Sequence, residues 1–125
     1  MIPKFRCFDK NTKTMHEVVS IDFSDWRVYY EAYGLRNYWN KNVVLMQSTG
    51  LHDEQGIEIF KGDIVEIIYD GKLFTGVVVY DLEEADFKAT NGNEDYGNNF
   101  QYLTVGESIE VIGNVWENED LLNDR

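Results

Sequence analysis

The sequence predicts a mostly β fold, a sandwich or small barrel of short antiparallel strands with at most short helical turns. Three observations carry that expectation. Runs of β-branched and aromatic residues recur with turn residues between them at short intervals. No stretch keeps helical periodicity for more than about two turns. Between two valine- and isoleucine-rich arms sits Asp70-Gly71. Such a pair is the strongest short-range mark of a hairpin, because a type I′ turn needs positive φ at both central positions.

In chain order, Lys4–Phe8 is a short aromatic-rich strand. Asp9–Lys13 supplies turn residues, and Met15–Phe23 returns antiparallel, giving an N-terminal β-hairpin. Trp26–Tyr33 alternates Trp26, Val28 and Tyr30 with Arg27, Tyr29 and Glu31, a strand pattern. Gly34–Asn42 holds Arg36, Asn37, Asn40 and Asn42 and reads as an exposed loop. Val43–Gln47 is a short apolar strand. Ser48–Gly62 is dense in turn residues and anchored only by Ile57–Phe60.

Asp63–Tyr69 and Lys72–Tyr80 form the central hairpin. Both of its faces carry apolar residues, which suits a curled sheet better than a surface ribbon. Gly76 marks a bulge or bend there. Leu82–Phe87 reads as one acidic helical turn or a loop, and Asn91–Asn99 as a polar excursion. Gln101–Val105 and Ser108–Trp116 are the last strands. Glu117–Arg125 forms one amphipathic turn with Leu121 and Leu122 facing the body.

The composition is that of a folded chain, since 43% hydrophobic and 14% aromatic residues suffice for a core. At 125 residues it is the size of one domain. The net charge of −12 is unevenly spread. Residues 1–60 carry 8 acidic and 7 basic side chains, whereas residues 61–125 carry 15 and 4, a net of −11. Such a field repels phosphate backbones and anionic lipid, so nucleic acid and membrane are disfavoured as partners. It admits a basic protein partner or an acidic decoy that imitates DNA, and it also serves solubility. The longest fully apolar runs, Val43–Met46 and Val77–Tyr80, are far too short to span a bilayer. The N-terminus lacks the apolar core of a signal peptide, so the expected location is the cytoplasm. The single cysteine, Cys7, lies in a strand-like run and reads as a buried, inert thiol.

No pattern of catalytic chemistry stands out. His16 and His52 are far apart and have no further ligand beside them, so no metal is expected. Asn91–Asp95 is rich in oxygen ligands but lacks the order of a calcium loop. Glu83-Glu84 and Glu119-Asp120 read as solvated charge. Ser20, Ser24, Ser48 and Ser108 occupy no nucleophile elbow. Gly50, Gly56 and Gly62 lack the lysine and hydroxyl of a phosphate loop. The expectation is therefore a protein that is not an enzyme and has no cofactor. Strand settings assign Trp26 and Trp116 to the core. Trp39, in a polar segment, is the best candidate contact residue. The basic residues Lys4, Arg6, Lys10 and Lys13 form one local patch against the overall field.

Three segments recur in a recognisable order. The first opens with Lys4, Phe5 and Arg6 and continues to Asp9 and Lys10. The second holds Thr49, Gly50 and Leu51, then Gly56, then Gly62, Asp63, Ile64 and Val65. The third holds Ile112, Gly113 and Asn114, then Glu117 and Asn118. Together they resemble the YopX family of bacteriophages and of prophage regions in low-GC Gram-positive bacteria. Cys7-Phe8 is a mild departure, since a plain aromatic is usual there. The resemblance implies a single domain over residues 1–125, with an N-terminal hairpin region at 1–47 and an SH3-type barrel core at about 57–118. It implies a phage setting, hence the host cytoplasm, and it supplies no reaction and no catalytic residue.

The motif residues are expected to define the fold. Asp63 would accept backbone hydrogen bonds where its strand begins, and Gly113 would let the closing strand pass near another backbone. The leading functional expectation is an interaction module for a host or phage protein, able to self-associate through an edge strand. The alternative is the DNA-mimicking decoy.

Overall fold

The structure, a computed structural model, describes residues 4–25, 27–32, 35–39, 43–91, 100–104 and 108–122. The all-β class is as the sequence predicts: among the described residues the regular elements are antiparallel strands and one 3-10 turn at Glu119–Leu122. The chain divides into two compact units, residues 1–48 and 49–125.

The first unit holds β1 (Phe5–Asp9), β2 (Thr14–Asp22), β3 (Arg27–Ala32), β4 (Leu35–Trp39) and the start of β5 (Val43–His52), in the sheet order β4-β3-β2-β1-β5. The expected N-terminal hairpin is present, with Cys7 opposite His16. Among the described residues, Cys7, Phe8, Tyr30 and Met46 are its buried apolar ones. Gly34–Asn42 was expected to loop, yet Leu35–Trp39 is a strand that places Tyr38 opposite Tyr29 and Asn37 opposite Tyr30. Arginine and asparagine side chains signal a loop, but their backbone groups pair as well as any others when an aromatic strand lies alongside.

β5 carries the chain into the second unit. It runs to His52, five residues beyond its expected end at Gln47. Thr49 sustains it by donating its hydroxyl to the Ile59 carbonyl at 2.8 Å, on β6 (Glu58–Phe60).

The second unit also holds β7 (Asp63–Tyr69), β8 (Lys72–Asp81), β9 (Asp86–Thr90), β10 (Phe100–Tyr102) and β11 (Ser108–Asn114), in the sheet order β10-β9-β8-β7-β11. The order begins and ends on different strands, so among the described residues the sheet does not close into a barrel. Asp70 and Gly71 have φ of 52° and 75°, the type I′ turn that the pair demands. The core consists of Ile59, Val65, Ile67, Val78, Ala89 and Leu103, with Phe74, Phe87, Ile109 and Val111 packed against it.

Several local expectations are corrected. Residues 82–85 form the turn expected within Leu82–Phe87, but Asp86 and Phe87 already belong to β9, which runs on to Thr90. β11 ends at Asn114, and Trp116 beyond it is 38% exposed rather than buried in the core. Gly76 makes no bulge, because Val65 pairs with it in regular register. A Cβ there would lie 2.8 Å from the Thr90 carbonyl oxygen, so glycine is required by the close approach of β9. Trp26, the side chain of Trp39 and most of Asn91–Asn99 lie outside the described residues.

Gly76→Ala is therefore expected to lower stability by about 1–3 kcal/mol, because the added methyl meets backbone that cannot swing aside. Urea unfolding checks it: the midpoint should fall with an unchanged slope.

Candidate functional site

The motif residues are tied into the fold by hydrogen bonds, and the clearest case was not singled out by the sequence. Asp53 Oδ1 accepts the backbone N–H groups of Gln55 and Ile57, each at 2.9 Å, and Oδ2 accepts that of Val111 at 3.0 Å. The Glu54 N–H donates to the Ile109 carbonyl at 3.2 Å. The Asp53 loop thus lies along the outer edge of β11 and satisfies two of its backbone groups. Burial pushes the Asp53 carboxyl up, and the three N–H donors more than reverse this, holding it below the usual carboxylate range. The signal that marks it is an aspartate three residues ahead of Gly56, an Asx-turn pattern.

The other motif positions follow suit. Asp63 Oδ2 accepts the Phe60 N–H at 2.8 Å, the strand-start role expected of it. Gly62 donates to the Val78 carbonyl and accepts from the Val115 N–H, both at 2.9 Å. Gly50, Gly56 and Gly62 all have positive φ, and Leu51 donates its N–H to the Thr49 hydroxyl. Asn114 Oδ1 accepts the N–H groups of Trp116 and Glu117, and its Nδ2 donates to Glu117 Oε1. Gly113 leaves room for a side chain rather than for another backbone: its Cβ would lie 2.6 Å from Asn118 Oδ1. Register joins the second and third motifs, with Val65 opposite Val111, Ile64 opposite Gly113 and Asp63 opposite Asn114.

In the first unit, Asp9 is fully buried. Its carboxylate accepts the Tyr30 hydroxyl at 2.6 Å and the N–H groups of Asn11 and Thr12. Burial raises its pKa, but these donors prevail and leave it lowered. The His16 ring stacks on Tyr30 with centroids 4.2 Å apart. Cys7 is pushed up to about 11, by burial first and by Asp9 second, so it is no thiolate at neutral pH. The Lys4 carbonyl accepts the Ser48 N–H, Phe5 is half-buried, Arg6 reaches Met46 Sδ, and Lys10 is exposed in the turn.

A second cluster missed by the sequence surrounds Lys88, whose side chain is 3% exposed. Its ammonium pairs with Asp81 at 2.8 Å and with Glu84, and it lies over the rings of Phe100 and Tyr102. Hydrogen bonds to Asp81 and then Glu84 raise its pKa and keep it charged. Tyr102 also donates to Glu84, so β8, β9 and β10 are tied through one cation.

The second unit also carries a groove of about 530 Å³, lined by Glu66, Leu73, Phe74, Thr75, Asn91, Ile112 and Leu121. Period-two geometry brings Glu66, Leu73 and Thr75 to one face, while Phe74 also packs against the core. Glu66 stands opposite Thr75 on β8 and Glu110 on β11; one rung along the same face, Ile68 stands opposite Leu73 and Ser108. Leu73 is 62% exposed and Ile68 40%. The unit boundary also sharpens the charge asymmetry. Residues 1–48 carry seven basic and five acidic side chains, and residues 49–125 carry four and 18, a net of −14.

A family model described as YopX protein matches residues 4–123. Two solved structures share the fold. Protein EF1440 from Enterococcus faecalis is 24% identical, with 98% of this chain and 99% of that one covered and a TM-score of 0.60. Protein YopX from Bacillus subtilis is 24% identical, with 94% and 96% covered and a TM-score of 0.62. No curated protein matches the chain.

Asp53→Asn should cost about 2–3 kcal/mol at neutral pH, because an amide nitrogen replaces the oxygen facing the Val111 N–H and sets two donors against each other. The wild-type carboxylate is lowered in the folded state. Its contribution is therefore whole above the unfolded value of about 3.9 and is lost as the pH falls through the lower folded value. Urea unfolding from neutral to acid pH should show a shallower acid limb for Asp53→Asn than for wild type.

Proposed function

Because this chain belongs to the YopX family, we propose that it is a phage- or prophage-encoded interaction module, not an enzyme, that binds a protein partner through its second unit. The observation that carries the proposal is the exposed apolar rung Ile68–Leu73 beside a groove floored by Phe74, Ile112 and Leu121. Exposed apolar side chains that line up next to a groove, rather than scattering singly, mark a surface that buries itself in a complex. The buried carboxylates support the same view. Asp9 and Asp53 are saturated by N–H and O–H donors that keep them ionised, which suits anchoring rather than proton exchange near neutral pH.

We read the site of action as the host-cell cytoplasm. This is in keeping with a lone, buried thiol, and among the described residues no helix is long and apolar enough to cross a membrane. Self-association remains part of the proposal, although the loop on the outer edge of β11 argues against strand addition there.

The net charge of −14 favours a second reading, the acidic decoy. Against it, Asp53, Asp63, Asp81, Glu84 and Glu117 are all bonded within the chain, which takes them out of any phosphate-like row.

Leu73→Ser separates the two readings, since Leu73 is exposed enough for the change to leave folding intact. Full-length wild type and variant are used as baits in extract of lysogenic or infected host, and the captured protein is then purified and titrated. The module reading expects saturable binding that weakens by about tenfold in the variant. Binding that is indifferent to Leu73 and collapses with added salt would favour the decoy.

A further inference from the structure

We propose that the groove on the β7–β8–β11 face takes a cationic amphipathic segment of the partner protein, in which one lysine or arginine meets Glu66 and Glu110 and flanking apolar side chains rest on Leu73, Ile68 and Ile112. This deepens the interaction-module reading and rests on it; what it adds is the chemistry of the partner.

The argument begins with the register. Glu66 and Glu110 are direct cross-strand partners, so their Cβ atoms stand about 5 Å apart on one face. Like charges in that relation oppose sheet pairing. Among the described residues neither carboxylate meets a lysine or arginine, and Glu110 touches only Gln55 Nε2, at 3.4 Å. The one deeply buried lysine of this unit, Lys88, is already taken by Asp81 and Glu84. A cation placed between Glu66 and Glu110 would relieve their repulsion and gain from the unit's net −14, which also speeds its approach.

The surroundings select the rest of the occupant. The next rung on the same face, Ile68 with Leu73, lies about 7 Å along the strand. Leu73 lines the groove with Phe74, Ile112 and Leu121, and Ile68 stands beside it as Leu73's cross-strand partner. A free metal ion would leave that surface wet, and a nucleic acid would set phosphate against Glu66. A peptide carrying one cation between apolar side chains matches both rungs at once.

The test uses the full chain and three short synthetic peptides: one of leucine and lysine, one with serine in place of leucine, and one with glutamate in place of lysine. Binding is followed by calorimetry and by amide NMR shifts. The leucine–lysine peptide should bind saturably and move the amides of Glu66, Ile68, Leu73, Thr75, Glu110 and Ile112. The double variant Glu66→Gln, Glu110→Gln should bind it about tenfold more weakly. That variant should also melt at a higher temperature than wild type, because the repulsion is gone, so weaker binding cannot be blamed on unfolding. Equal binding of the serine–lysine peptide would reduce the effect to diffuse electrostatics and overturn the proposal. So would binding of the glutamate peptide, indifference to the double variant, or shifts mapping elsewhere. If the peptides fail while partner capture still depends on Leu73, only the cationic preference falls; if that dependence is also lost, the broader reading falls with it.

Discussion

The second unit depends on a carboxylate that joins positions 58 residues apart in the chain. Asp53 gathers the N–H groups of Gln55 and Ile57 on one oxygen and that of Val111 on the other. The first two bonds shape the loop before β6, and the third lays that loop along β11. An exposed strand edge carries unpaired donors and acceptors that invite pairing with another chain. Here Asp53 and Glu54 satisfy that edge at Ile109 and Val111, so β11 is paired with β7 on one side and capped on the other. With β11 held, Glu110 is opposite Glu66 and Ile112 reaches the groove.

Charge in this unit is of two kinds. Some carboxylates are internal fasteners: Asp53 and Asp63 bind backbone, while Asp81 and Glu84 hold Lys88 beneath two aromatic rings. Hydrogen bonds hold the Asp53 and Asp81 carboxyls below the usual range, so these two stay ionised without a partner molecule. Within the described residues Glu66 and Glu110 meet no lysine or arginine, and Glu110 accepts only the Gln55 amide. The net charge alone would not distinguish them, because it counts fasteners and free acids equally.

How far the fold was legible follows from which signals are local. The β7–β8 hairpin announced itself through Asp70-Gly71, since turn and register are set by adjacent residues. β4 was hidden because Arg36 and Asn37 look like loop residues until β3 supplies a partner. β9 was hidden because Lys88 looks solvent-bound until Asp81, Glu84, Phe100 and Tyr102 enclose it. Asp63 accepts a backbone N–H where its strand begins, as expected, whereas Gly113 accommodates the Asn118 side chain and not another backbone. The groove was not foreseen, since Glu66 and Glu110 become neighbours only through a pairing of strands distant in sequence. Trp39, favoured from sequence as a contact, has its side chain outside the described residues, and the surface that emerges lies elsewhere.

The motif residues and the groove are coupled by arithmetic. Between Val111 and Gly113 the β7–β11 register slips by one residue, a bulge. Without the slip, Gly113 and not Asn114 would stand opposite Asp63. Asn114, set opposite Asp63 by the slip, caps the N–H groups of Trp116 and Glu117 where the chain leaves the sheet. The slip also gives Ile112 its position as the extra residue, free to line the groove rather than to fill a regular rung. Gly113 permits this because Asn118 folds back over it. Residues whose evident task is to end a strand thereby decide which side chains the face presents, since a shift of one residue along a strand exchanges its two faces. A change at Gly113, Asn114 or Asn118 would thus alter the groove without touching any residue that a ligand meets.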